Sequence, residues 1–279
     1  MYNKIVVPLD GSKLAEVALP YAEEMAAKMG SDIILLTVLE SDEPQEHEKQ
    51  QMYTEKVAEV TRYHAAKYLG NGGSKAVKIA AATRTGNPAE AIIDYADKGD
   101  YTLIIMASHG RSGISRWAVG SVADKVVRAK ARQPVMLIRA KESRSDVREK
   151  RVLKKVLVPL DGSPGGQTVI PFISKIASRL DMELTLLQVV SQNGDTTRNA
   201  ETYLQDECRK LAEEGITSGY RVSKGTVADR IIDLADELAF DLVAMSTRGR
   251  TGVSAWPMGS TAQKVFLGGN TPLLLIKQY

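Results

Sequence analysis

The stretch KIVVPLDGS at residues 4–12 returns as KVLVPLDGS at residues 155–163. An apolar, β-branched run that stops at Asp-Gly-Ser reads as a buried strand and a tight polar turn. Its second occurrence makes the chain a repeat of itself, and a repeat decides the fold before any local reading does. Working outward, Asp10 maps to Asp161, Pro20 to Pro171 and Val38 to Val189, each 151 residues on. GNPAEAIIDYAD (86–97) matches GTVADRIIDLAD (225–236) at a spacing of 139, and Gly110 to Gly249 and Gly120 to Gly259 keep that value. The second copy is therefore 12 residues shorter, the loss falling between 39 and 85. The copies end alike, as QPVMLIRA (133–140) and TPLLLIKQ (271–278). Several motifs in one order with a single gap predict two homologous domains, 1–140 and 153–279. Residues 141–152 between them are charge-rich without apolar periodicity. Glu142, Asp146 and Glu149 interleave the basic residues, so the segment reads as a solvated linker rather than a nucleic-acid tract.

Length and composition agree with two ordinary domains. The chain has 279 residues, 43% apolar and 25% charged, which excludes a mostly disordered polymer. Thirty-seven basic against 34 acidic residues leave +3, too mild a charge for nucleic acid as the main partner. The single cysteine, Cys208, excludes an internal disulfide and a cysteine-based zinc cluster. It lies in a helical pattern, QDECRKLAEE, with nothing nearby that marks it as reactive. Apolar runs reach only about seven residues where a membrane-spanning helix needs about 20. The start, MYNKIVVPLD, is already a strand pattern and lacks the basic and apolar regions of a signal peptide. A soluble cytoplasmic protein with no membrane partner is expected.

Within the first copy, strands and helices alternate. KIVVPL is a strand. Leu14, Ala18, Tyr21, Met25 and Met29 mark a helix capped by Gly30. DIILLTVL is the second strand. Residues 45–69 form a helix with Val57, Val60, Ala65 and Leu69 in register. KAVKIAAAT, YTLIIMAS and PVMLIR supply three more strands, separated by helices at NPAEAIIDYADKG and SVADKVVRAKAR. Pro20 and Pro171 fall within the first helix of each copy, so either both helices kink there or the regular helix begins there. Continuous apolar strands separated by helices imply a parallel sheet covered on both faces. The predicted fold is two tandem open α/β sandwiches with five-stranded parallel sheets, Rossmann-like. Ligands in such sheets bind beyond the carboxyl ends of the strands where the strand order switches.

Two loops of each copy carry the candidate chemistry. Asp10-Gly11-Ser12 and Asp161-Gly162-Ser163 follow strand one, after Pro8 and Pro159. They read either as a plain capped helix start or as carboxylates presented to the crevice. After strand four come ASHGRSGISRWAVGSVADK and MSTRGRTGVSAWPMGSTAQK. Each places a glycine, nine residues and then Gly-Ser at a helix start: Gly110 to Gly120-Ser121, and Gly249 to Gly259-Ser260. Glycine lets backbone N–H groups approach an anion, and a helix N-terminus carries unpaired donors and about half a positive charge. Arg111 and Arg250 add charge, His109 and Arg248 stand beside the first loop glycine of each copy, and Val122 and Thr261 follow the serines. The pattern suits a phosphate. Trp117 and Trp256 hold matching loop positions, where packing is the expected role. Neither a Walker loop nor a nucleophile elbow is present, and the two copies share no histidine, so no catalytic constellation is evident.

Both halves resemble universal stress protein domains, and the whole resembles a tandem universal stress protein. The resemblance implies an adenine nucleotide alpha hydrolase-like fold. Its nucleotide-binding branch has Gly-x2-Gly-x9-Gly-Ser/Thr after strand four, an Asp after strand one, and a Val ending strand two near the adenine. Asp10 and Asp161, Val38 and Val189, and the later glycines and serines match; Ala107 and Ser246 stand where the first glycine would be. The resemblance implies ATP, AMP or ADP as ligand, Mg2+ held through the phosphates, and a nucleotide-dependent sensor or regulator rather than an enzyme. Tighter binding is expected in the first half, because Ala107 departs less from glycine than Ser246 does. It also implies antiparallel pairing of 134–139 with 272–277, an intramolecular pseudo-dimer, and association into a homodimer. The rival expectation is a scaffold that binds another protein without a nucleotide.

Overall fold

The computed structural model describes residues 2–41, 43–69, 77–99, 102–110, 119–129, 133–139, 152–190, 194–247 and 258–277. The chain divides into two units, Met1–Val152 and Leu153–Tyr279. In the first, β1 (Lys4–Leu9) is wholly apolar between Ile5 and Val7, and these side chains are fully buried. Each such side chain contributes on the order of 1.5–3 kcal/mol by leaving water. Around β1 lie β2 (Asp32–Leu39), β3 (Ile79–Thr85), β4 (Thr102–Ala107) and β5 (Val135–Ile138), in the order β3-β2-β1-β4-β5 and all parallel. The crossovers are α1 (Leu19–Met29), α2 (Pro44–Leu69), α3 (Pro88–Asp97) and α4 (Ser121–Arg128). Helix α1 packs with α2, and α3 with α4.

The second unit repeats the plan. Its strands are β6 (Lys155–Pro159), β7 (Glu183–Val190), β8 (Ser218–Lys224), β9 (Leu242–Ser246) and β10 (Leu273–Ile276), ordered β8-β7-β6-β9-β10 and parallel. Its helices are α5 (Pro164–Gln167), α6 (Ile170–Leu180), α7 (Gly194–Glu213), α8 (Val227–Glu237) and α9 (Ser260–Gly268). The 12-residue difference has three sources. Helix α7 has 20 residues against 26 in α2. Residues 191–193 replace 40–43, and 214–217 replace 70–78. In each unit the strand order switches beside the first strand, so the crevice opens there.

The proline question resolves toward a late helix start. A 3-10 turn (Ala15–Ala18) precedes α1, and Pro20 lies in its first turn; Pro171 does the same in α6. A first-turn residue has no intrahelical use for its N–H, so proline costs little there. Three expectations need correction. Strand β3 begins at Ile79 rather than 75 and runs on to Thr85, where it pairs with Leu39 of β2. Helix α4 ends at Arg128, and Ala129 is already extended. The buried face of α2 is Gln50, Thr54, Ala58, Thr61 and Ala65, whereas Val60 is exposed. The Thr54 hydroxyl shares a 3.0 Å hydrogen bond with Thr37 and bonds the Gln50 carbonyl at 2.7 Å, so this hydroxyl is satisfied inside, while Gln50 Nε2 and Thr61 Oγ1 are buried without a hydrogen bond to a described residue. No helix among the described residues is long and apolar enough to cross a membrane.

Candidate functional site

The crevice begins with a missing N–H. Along β1 the backbone groups alternate sides; the Asn3 carbonyl bonds Asp32 toward β2, so those of Pro8 face β4. Pro8 has no hydrogen to donate. The ladder to β2 runs through Leu9↔Thr37, but the ladder to β4 stops at Val6↔Ile104. The second unit is built alike. The Lys155 carbonyl bonds Asp241 on the β9 side, so Pro159 faces β9. Pairing with β9 stops at Leu157↔Val243 while pairing with β7 continues to Pro159↔Leu187. The carboxyl ends of the two strands part at the switch point. Sequence reasoning placed the site there and missed the cause, although a proline inside a central strand was the signal.

The turn after β1 is tied by its own side chains. Asp10 Oδ1 accepts from the Ser12 N–H (2.9 Å) and hydroxyl (2.6 Å), and Ser12 Oγ accepts from the Ala15 N–H (3.2 Å). Gly11 turns the chain at φ +84°, a left-handed conformation that favours glycine. In the second unit Asp161 Oδ1 accepts from the Ser163 N–H (3.0 Å) and hydroxyl (2.6 Å), Gly166 donates to Ser163 Oγ (2.9 Å), and Gly162 has φ +76°. The capped-turn reading holds in both units: one carboxylate oxygen caps the turn, at the end of the strand.

The loop after β4 is closed at its base. Ser108 is fully buried, its N–H bonds the Ile138 carbonyl (2.8 Å), and its hydroxyl meets His109 Nδ1 (2.9 Å). The Gly120 N–H then bonds the Ser108 carbonyl (2.8 Å), so α4 starts directly beside the end of β4. Gly259 and Thr247 make the same bond at 2.7 Å, bringing α9 to β9. The Gly120 backbone angles, −57° and 143°, suit any residue. What Gly120 provides is room, since a Cβ would lie 3.2 Å from the Ser108 carbonyl oxygen and 3.5 Å from His109 Cα. Its N–H is spent on that carbonyl, so the uncapped donors at the two helix starts belong to the first helical turn, which includes Ser121 and Val122 in one unit and Ser260 and Thr261 in the other. No side chain caps either helix start among the described residues, and uncapped N–H groups with a helix dipole behind them favour an anion.

Asp10 meets this loop. A Cβ on Gly110 would lie 2.1 Å from Asp10 Oδ2, so the loop backbone rests against the carboxylate. Val38 and Val189 are half-buried, one residue before the ends of β2 and β7, pairing with Arg84 and Ser223. Ala107 and Ser246 are buried at the ends of β4 and β9. Arg111, Arg248, Gly249 and Arg250 lie outside the described residues, as do Trp117 and Trp256. Cys208 is half-buried on α7, and burial pushes its thiol above the ordinary range, the opposite of an activated nucleophile.

Comparison with known proteins agrees with the internal repeat. The universal stress protein family model matches residues 1–139 and again 153–277, and the chain belongs to that family. The universal stress protein Slr1230 of Synechocystis is 22% identical over 302 residues, covering 99% of this chain and all of the relative. The universal stress protein MJ0531 of Methanocaldococcus jannaschii is 28% identical over 140 residues, which is 45% of this chain and 82% of the relative. Among solved structures, a universal stress protein from Archaeoglobus fulgidus aligns over both whole chains with a TM-score of 0.70 at 22% identity, a likeness of fold.

Proposed function

We propose that this universal stress protein binds an adenine nucleotide, ATP with Mg2+ carried on its phosphates, in the crevice of one or both units, and acts as a nucleotide-dependent sensor or regulator in the cytoplasm. The observation that carries the reading is the base of the crevice. A strand pair parts at Pro8, the Asp10 carboxylate that follows abuts Gly110 in the loop after β4, and a glycine-cleared bond from Gly120 to Ser108 ties the uncapped start of α4 to the base of that loop. That arrangement supports an anion at α4 and a polar, uncharged group toward Asp10 and Val38, which is the order of parts in a nucleotide. AMP and ADP fit the same crevice with fewer phosphates at the helix. The resemblance extends the reading to association of the two halves and of two chains, which sedimentation of the full chain with and without ATP checks.

Isothermal calorimetry with ATP and Mg2+ should give a dissociation constant of micromolar order, about −8 kcal/mol. The second reading, a protein-binding scaffold without nucleotide, is favoured by Ala107 and Ser246, which put side chains where the resemblance calls for glycine. Absence of heat and of any thermal shift at millimolar ATP decides for the scaffold.

A further inference from the structure

We infer that the outer face of α2 docks on α2 of a second copy of this chain, the two helices antiparallel about a two-fold axis level with Val57 and Ala58. This rests on the association of two chains proposed above, gives it a surface, and stands apart from the nucleotide. Two side chains mark the face. Met52 and Tyr63 are 65% and 63% exposed, whereas the other exposed large apolar side chains among the described residues lie between 38% and 42%. Tyr63 follows Met52 by 11 residues, about three turns of helix, so the two stand on one line. Gln50, Thr54, Ala58, Thr61 and Ala65 form the opposite, buried face of the helix.

The charges around that line name the occupant. Lys49, Met52, Lys56, Glu59, Tyr63 and Ala66 are all exposed and alternate in steps of three and four, the spacing of a seam between two helices packed lengthwise. The steps read the same from either end, so the line can pair with an antiparallel copy of itself. The register that sets Met52 on Tyr63 of the second copy also sets Lys56 on Glu59 and Lys49 on Ala66. Along the flanks it brings Glu55 to Arg62 and Glu46 to Lys67, so opposite charges meet. Each contact occurs twice by symmetry. Within its own chain these charges are uncommitted: Lys56, Glu59 and Arg62 make no ion pair with a described residue, and Glu46 and Glu55 accept only from the neutral Ser41 and Gln51. Lys67 Nζ lies 4.6 Å from the centre of the Tyr63 ring, an attraction that orders the ring before a partner arrives.

The second unit lacks such a face. Helix α2 starts at Pro44 and α7 at Gly194, and 150 residues after Met52 and Tyr63 stand Thr202 and Glu213. Asp206 and Arg209, at the places of Lys56 and Glu59, pair with each other inside α7. The chain thus carries the patch once, and one self-complementary patch closes a two-fold dimer and stops there. A single helix pair with a charged middle layer lies at the small end of specific interfaces, so the dimer is reversible rather than obligate.

The test is sedimentation equilibrium of the full chain without nucleotide, which should show monomer and dimer exchanging with concentration. Lys56→Glu opposes two carboxylates at both symmetric contacts and should weaken the dimer about tenfold or more. Glu59→Lys should do the same with two ammonium groups. An equal mixture of the two variants restores both pairs, so it should associate as the parent does although neither variant does alone. The register has its own test in chains carrying Cys208→Ser with either Met52→Cys or Tyr63→Cys. Mixed and oxidised, the two should form a covalent dimer. Either alone should form none, because the antiparallel register holds like positions about 16 Å apart, beyond the roughly 7 Å between Cα atoms that a disulfide spans. Should Cys208→Ser disturb the fold by circular dichroism, the exchange of charges decides alone, since Lys56 and Glu59 are exposed. A dimer indifferent to both charge variants overturns the α2 face and leaves association of two chains standing. A chain that stays monomeric at millimolar concentration overturns both.

Discussion

After β1 the Asp10 carboxylate lies against the glycine of the far loop, Gly110; after β6 the Asp161 carboxylate lies against the glycine of its own turn, Gly166. A Cβ on Gly166 would come within 2.3 Å of Asp161 Oδ1, yet the matching residue in the first unit is Ala15, whose methyl fits. The two turns share three residues and the same bonds from serine to aspartate. They differ just past the serine, where one has a 3-10 turn with Lys13 and Glu16 and the other has the helix Pro164–Gln167. An identical motif thus fixes a turn, while the next few residues decide what packs against it, Ala15 in one unit and Gly166 in the other.

The largest effects should come from the contact the two units share. Gly120→Val and Gly259→Val should each abolish phosphate binding in their own unit, by at least about 100-fold, because a branched side chain beside the Ser108 or Thr247 carbonyl pushes the helix start from the strand end. Gly120→Ala should cost less, since its Cβ at 3.2 Å asks for a shift of only a few tenths of an ångström. Nucleotide titration of each variant checks this. Equal binding in Gly120→Val and the parent chain would show that the ligand sits elsewhere. If Gly259→Val removes the tighter site and Gly120→Val the weaker, the expectation that the first half binds more tightly is wrong.

A smaller effect should follow Asp10→Ala and Asp161→Ala, about 1–3 kcal/mol of binding for a lost charged hydrogen bond. Both changes also leave the Ser12 or Ser163 N–H without its acceptor, so chemical denaturation should report a loss of stability without ligand. The ratio of binding loss to stability loss in each variant separates the carboxylate's part in the ligand from its part in the turn. Next in size is a matched pair at the end of the first helix. Gly30 caps α1 at φ +69°, and Asp181 caps α6 at φ +50°. A Cβ on Gly30 would touch nothing, so Gly30→Ala should cost about 1 kcal/mol from backbone conformation alone. Asp181→Gly should stabilise by less than about 1 kcal/mol, because aspartate tolerates this region better than most residues.

The central strands were legible because their apolar runs are continuous, as in Ile33–Leu36 or Leu242–Met245, whereas the largely exposed edge strand β3 (IAAATRT) gave misplaced bounds. The face of α2 was not legible, because Gln50, Thr54 and Thr61 are polar and buried. Thr54 is satisfied by the Gln50 carbonyl one turn back and by Thr37, on a strand 17 residues away, and the second partner is a tertiary contact that the helix pattern does not show. The turn at Asp10 and the helix start at Gly120-Ser121 could be read from motif spacing. Their division of labour could not, since the Gly120 N–H proves to be an internal bond.

The smallest expected effect separates two helix starts outside the site. Asn87 precedes α3, and its Oδ1 accepts from the Ala89 N–H at 3.2 Å and the Glu90 N–H at 3.4 Å. Thr226 holds the same position before α8 with nearly the same backbone, φ −72° against −67°, and makes no side-chain cap. Asn87→Ala should therefore cost about 1 kcal/mol, the usual value of an N-cap. Thr226→Ala should cost less, because a threonine that bonds nothing loses nothing at the helix start. Thr226→Asn should gain a few tenths of a kcal/mol by supplying the acceptor that Asn87 already provides. Urea unfolding of the three variants beside the parent chain measures the differences. A Thr226→Ala cost equal to that of Asn87→Ala would show the threonine hydroxyl capping α8 in solution, and the two starts would then be equivalent.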